Sequence, residues 1–226
     1  IDAHAYWDSG HMSLEELQLQ MQAHGLTKVI LSPPCTLVCE PDKNPRMYAL
    51  QRVLLQNDLL RLFARCASTS FYNRKGQLRA LWRLFTASQA PLNKVMNPDN
   101  TGLLEAIEPF DDFYAWYWLN PGSMPPGERM LVELGHPRVV GIKLHAYWHP
   151  FEAREARAAF LLAQEIQKPV YWILGFGWLK SLVELLREFP SVPVVFGYGG
   201  FPYFDRQWQR IKDFPNAFID LTSFPL

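Results

Sequence analysis

Short extended runs of apolar residues alternate with longer runs of helical periodicity along most of this chain. Ile1–Tyr6 reads as a short strand. Ser13-Leu14-Glu15-Glu16 opens a helix to about His24, because Ser13 and Glu16 can each satisfy the other's backbone N–H. Thr27–Ser32, with its β-branched residues, predicts a second strand, stopped by Pro33-Pro34. Further along, strands are expected at Tyr114–Leu119, Val139–His145, Val170–Leu174, Val194–Phe196 and Ala217–Leu221. Helices are expected at about Gly127–Leu134, Phe151–Gln167, Leu179–Phe189 and Asp205–Asp213. Repeated strand-then-helix units predict right-handed crossovers onto one parallel sheet, an α/β fold.

The stretch from about Pro33 to Asp99 breaks this rhythm. Met47–Leu60 and Leu78–Phe85 read as helices, and Leu62–Ala67 is a short apolar segment between them. The expectation is a single domain over 1–226 carrying a mainly helical insertion at about 33–99. The alternative is that Leu62–Ala67 is itself a barrel strand. With the insertion reading, seven strands are counted and the chain stops before an eighth. The sequence starts at Ile1, so trimming at either end stays open.

Composition narrows the classes. The 226 residues can bury a sizeable core. The 49% hydrophobic content argues against global disorder. Lys plus Arg and Asp plus Glu number 22 each, and that balance carries no electrostatic footprint for nucleic acid. No apolar run approaches the roughly 20 residues that span a bilayer. Three cysteines, Cys35, Cys39 and Cys66, make no disulfide framework or zinc-finger spacing and read as reduced thiols. The expectation is a cytoplasmic protein with a small-molecule partner, with no nucleic-acid or membrane partner and with self-association left open.

The candidate chemistry lies at strand ends: Ile1-Asp2-Ala3-His4-Ala5-Tyr6, Gly141-Ile142-Lys143-Leu144-His145, Pro169–Gly175 and Val194–Gly200. In order and surroundings these segments resemble the amidohydrolase superfamily, in the branch of amidohydrolase-2 proteins and related decarboxylases. That branch opens with Asp-x-His-x-His and places further histidines after later strands. The resemblance implies a (β/α)8 TIM-like barrel, incomplete at its last strand here, with chemistry at the carboxyl ends of the strands. It also implies a hydrolase or decarboxylase using zinc or another divalent metal.

This chain departs from the pattern at the metal. His4 stands in its slot, but Tyr6 and Ile173 occupy two others. The sixth-strand slot falls on Tyr198 in the short Gly-His-Gly-Gly form of the motif, or on Gly197 in the longer one. His4 and Tyr6 share a strand face, but a phenol with a reference pKa of about 10 is a poor ligand when protonated. Ile173 cannot ligate. Lys143 would add a ligand only if carbamylated, as in some branches of the superfamily. A catalytic zinc usually has three protein ligands, so the expectation is a metal site largely lost.

Lys143 and His145 share a face of their strand. Lys143 is the candidate for holding a substrate carboxylate, and His145 for proton transfer, since its unperturbed pKa is near 6.5. The plainer reading puts both in a buried hydrogen-bond network. Tyr6, Trp7, Trp172 and Tyr198, with Tyr147, Trp148, Phe176, Trp178, Phe201 and Tyr203, crowd the strand ends and suit a flat or apolar ligand. His149, His11, His24 and His136 read as loop or structural residues. Two functions compete. One is a hydrolase or decarboxylase of a small, aromatic or apolar carboxylate. The other is a catalytically inactive barrel serving as a ligand-binding or assembly module.

Overall fold

The computed structural model describes residues 1–10, 12–33, 98–123, 126–146, 149, 151, 153–174, 179–200 and 209–221. The chain divides into two compact units, Ile1–Cys35 with Asn97–Leu226, and Thr36–Met96. The expected helical insertion at about 33–99, including the alternative strand Leu62–Ala67, lies almost wholly outside the described residues, as do the first four residues of the expected helix at Asp205–Asp213; 209–211 of that helix are helical.

Strand β1 is Asp2–Tyr6 and helix α1 is Leu14–Ala23. The capping box forms as the sequence predicts: Ser13 Oγ accepts from the Glu16 N–H at 3.1 Å, and the Glu16 carboxylate accepts from the Ser13 N–H at 3.0 Å. Strand β2 is Val29–Ser32, and helix α2 is Asn100–Ile107. Helix α2 has no counterpart among the expected elements. It opens with the poor helix formers Asn100, Thr101 and Gly102 and starts because Asp99 caps the Gly102 N–H at 2.9 Å. There follow β3 Phe113–Trp118, α3 Glu128–Leu134, β4 Val139–His145, α4 Ala153–Glu165, β5 Val170–Ile173, α5 Leu179–Glu188, β6 Val194–Phe196 and β7 Ala217–Ile219.

The seven strands form one parallel sheet in the order β1-β2-β3-β4-β5-β6-β7, each hydrogen-bonded to the next in sequence. Sequential parallel order with helical crossovers is that of a (β/α) barrel, with seven strands among the described residues. The two sheet faces are dressed differently. On the outer face, residues such as Leu31, Leu144, Trp172 and Phe196 join the helices through Ile107, Phe160 and Leu186 in the main core. On the inner face, Trp116, Tyr171 and Ile173 form a second cluster, with Ile30, Val195 and Tyr198 against it. Phe218, paired in register with Val195 on the edge strand β7, is 51% exposed.

At the amino ends of the strands Lys168 is purely structural. Its ammonium donates to the carbonyls of Leu134, His136 and Val139 at 2.5, 3.2 and 2.6 Å, tying the starts of β4 and β5 together. His136, read from the sequence as structural, belongs to this end. No helix among the described residues is long and apolar enough to cross a membrane.

Candidate functional site

Five of the residues singled out in the sequence, His4, Tyr6, Lys143, His145 and Tyr198, come to the carboxyl ends of the strands. Lys143 points inward from β4 because β4 alternates, with Ile142 and Leu144 in the outer core. Its side chain is fully buried. The ammonium lies 2.7 Å from His4 Nε2, on β1, and donates to Ser32 Oγ, at the end of β2, at 3.1 Å. Aromatic faces enclose it: the Tyr6 ring centroid is 3.8 Å from Nζ, that of Trp118 4.5 Å and that of Tyr171 5.8 Å. A cation over π faces recovers part of the hydration it gives up on burial.

The contact between Lys143 and His4 fixes the state of the histidine. An ammonium can only donate, so Nε2 accepts and the ring proton sits on Nδ1. Burial, and after it the positive charge of Lys143, lower the His4 pKa from 6.5 to about 3, with Asp220 opposing them. His4 is therefore neutral at ordinary pH. Its Nδ1–H and the Nε1–H of Trp118 are buried without a hydrogen-bond partner among the described residues. The two rings flank Tyr6, with centroids 4.9 and 5.8 Å from it.

A second layer holds His4 in place. Tyr171, fully buried on β5, stacks on it at 4.6 Å. The Tyr171 hydroxyl donates to Asp220, just past β7, at 2.5 Å. Burial first, and then the Asp220 carboxylate, push the Tyr171 pKa well above its usual 10. Tyr198 completes the wall. It adopts a left-handed φ of 54°, unusual for a side-chain-bearing residue, and its hydroxyl approaches that of Tyr6 at 3.4 Å. Burial raises its pKa too.

His145 comes to the same end of the barrel and stacks on Trp118, with centroids 5.3 Å apart and planes 10° apart. His149, read from the sequence as a loop residue, is fully buried edge-on to the same indole.

Two expected contact residues are not there. Trp172 faces the outer core and packs edge-on against Phe160 at 5.6 Å. The reason is strand parity: Tyr171 and Ile173 point inward, so Trp172 cannot. Trp7 likewise packs against the outer core and donates its Nε1–H to the Met12 carbonyl at 2.9 Å. Tyr147, Trp148, Phe176, Trp178, Phe201 and Tyr203 lie outside the described residues. The sequence reading missed Ser32, Trp118, Tyr171 and Asp220. The signal for Tyr171 was available, since placing Ile173 in a ligand slot makes Tyr171 face inward as well.

The metal that the resemblance implies does not fit this donor set. A zinc ion sits about 2.0–2.1 Å from a ligating imidazole nitrogen. The Lys143 ammonium, 2.7 Å from His4 Nε2, takes that position and its charge. Ile173 presents hydrocarbon to the inner cluster. Among the described residues no three His, Cys, Asp or Glu side chains are grouped to hold an ion.

No protein-family model matches the sequence. No curated protein matches it either. Among solved structures the chain is similar to an uncharacterized TIM-barrel protein from Bordetella bronchiseptica, with 12% sequence identity and a TM-score of 0.54. The likeness covers 94% of this chain and 62% of that one, so the chain spans less than two thirds of its neighbour's length. The likeness establishes the barrel fold.

Proposed function

We propose that this barrel is an amidohydrolase-like, metal-independent decarboxylase of a small carboxylate with an apolar or aromatic body. The observation that carries the reading is the buried Lys143 ammonium held 2.7 Å from a neutral His4. Hydrolysis needs an activated water, and a histidine with a pKa of about 3 is a weak base at neutral pH. Decarboxylation instead needs a sink for the electron pair that CO2 leaves behind. A fixed cation in a site walled by Tyr6, Trp118 and Tyr171 supplies one. The two acceptor-less donors on His4 and Trp118 suit a carboxylate oxygen.

The second reading is a binding module without turnover, favoured by the complete burial of Lys143 beneath Tyr6. The test is CO2 release from a panel of small aryl and alkyl carboxylates, with a chelator present. Turnover insensitive to the chelator and reduced at least about 100-fold in Lys143→Met is the expected result. Turnover that survives Lys143→Met sinks the proposal. Calorimetric binding without any CO2 leaves the module.

A further inference from the structure

We propose that Lys143 acts as an amine nucleophile, forming an imine with the carbonyl group of a 3-oxo carboxylate. The inference rests on the decarboxylase reading and names its substrate class. Lys143 Nζ is buried at the strand ends of a barrel, against a neutral imidazole nitrogen and a hydroxyl oxygen, with aromatic faces around it. A desolvated lysine in an apolar pocket is how an amine becomes nucleophilic near neutral pH. His4 Nε2, 2.7 Å away, holds the nitrogen in place; water admitted with the substrate takes one ammonium proton, freeing the lone pair, and returns it to the oxygen that leaves.

The chemistry balances without any further reagent. The amine nitrogen bonds to the carbonyl carbon as the carbonyl π pair moves to oxygen. Ammonium plus ketone thus becomes a protonated imine plus one water. The bond to the carboxylate carbon then breaks, CO2 leaves, and its electron pair flows into the C=N bond to give a neutral enamine. Protonation at carbon regenerates the iminium, and one water returns the shortened ketone and the ammonium. A 3-oxo acid is required, because only there does the breaking bond lie next to the carbon attached to C=N. Tyr6, 42% exposed, separates Nζ from solvent, so its ring must turn aside to admit the carbonyl.

The experiment uses the full chain with benzoylacetate and with acetoacetate as probes, in the presence of cyanoborohydride. Adducts are read by intact mass and located by peptide mapping, and CO2 release above buffer is read in parallel without reductant. One reduced adduct per chain, mapped to Lys143 and absent from Lys143→Arg and Lys143→Met, is expected. Adducts confined to surface lysines, or no adduct, overturn the inference. The wild-type map decides this even where a variant folds poorly. CO2 release without an adduct at Lys143 removes the imine and leaves the decarboxylase. An adduct at Lys143 without CO2 keeps the imine and removes the decarboxylase.

Discussion

His4 lies flat against Tyr171, with ring centroids 4.6 Å apart and planes 24° apart, while the Tyr171 hydroxyl is anchored 2.5 Å from Asp220. One line of contacts thus runs from β1 through β5 to the end of β7. It sets the plane of the imidazole, and the imidazole in turn sets where the Lys143 ammonium rests. Charge placement at the mouth depends on a residue that itself carries no charge.

That dependence explains Gly197 and gives a first prediction. A Cβ at position 197 would lie 2.5 Å from the Tyr171 hydroxyl oxygen and 2.7 Å from its ring. The phenol is fully buried and cannot simply rotate away. Overpacking of this kind costs typically about 1–3 kcal/mol. Gly197→Ala is expected to lower the unfolding free energy by that amount, read as a lower urea midpoint with an unchanged m-value. A midpoint equal to that of the wild type would show that Tyr171 is not fixed as described.

Metal uptake can be engineered only after the ammonium is removed. Introducing histidines at Tyr6, Ile173 and Tyr198 supplies imidazoles to the strand ends, but Lys143 still occupies the space beside His4 Nε2. The triple variant Tyr6→His, Ile173→His, Tyr198→His should therefore bind zinc weakly. Adding Lys143→Ala should raise its affinity by at least about tenfold, roughly 1.4 kcal/mol. Zinc titration followed by elemental analysis separates the two. Equal affinity in the triple and quadruple variants would mean that Lys143 does not stand in for the ion.

Asn100 offers a test of the outer support. Its buried amide donates to the Trp118 carbonyl at 3.0 Å and accepts from the Trp118 N–H at 2.8 Å, filling both backbone valences at the end of β3. Asn100→Ala leaves a donor and an acceptor buried without partners, a penalty of about 1–3 kcal/mol for each. The expected result is a drop in thermal midpoint together with a change in Trp118 fluorescence. A full loss of stability with an unaltered indole spectrum would separate the helix cap from the site and count against the coupling.

Strand-helix alternation sufficed to predict the seven parallel strands of the described residues, because each β unit has its own apolar run and its own terminator, such as the Pro33-Pro34 pair after β2. It did not predict α2, whose opening residues favour turns and which owes its start to one aspartate cap. Within the site, His4, Tyr6, Lys143 and Tyr198 could be recognised as strand-end residues. Trp172 was misplaced because tryptophan looks like a ligand contact wherever it falls near a mouth, whereas its direction is set by alternation alone. Ser32, Trp118 and Asp220 could not be found from sequence. Their roles come from distances across the lumen, between residues 49 to 111 positions apart in the chain for Tyr171–Asp220 and Ser32–Lys143.

Acid stability gives the last prediction. Folding lowers the His4 pKa from 6.5 to about 3, so the folded protein keeps this ring neutral while the unfolded chain protonates it. The unfolded state therefore binds the extra proton between those two values. Stability from this group is present in full above about pH 6.5 and is lost as the pH falls toward 3, at up to about 1.4 kcal/mol per pH unit. Carboxylates titrate in the lower part of the same window, so the His4 share is isolated by comparison with His4→Gln. Urea midpoints at pH 7, 6 and 5 are expected to fall more steeply for the wild type than for the variant. In Lys143→Met the positive neighbour is gone but burial remains, so the His4 pKa, read from its ring proton resonances, should rise while staying below 6.5. If it stays near 3 in that variant, burial alone accounts for the shift, and the ammonium does not sit against His4 in solution.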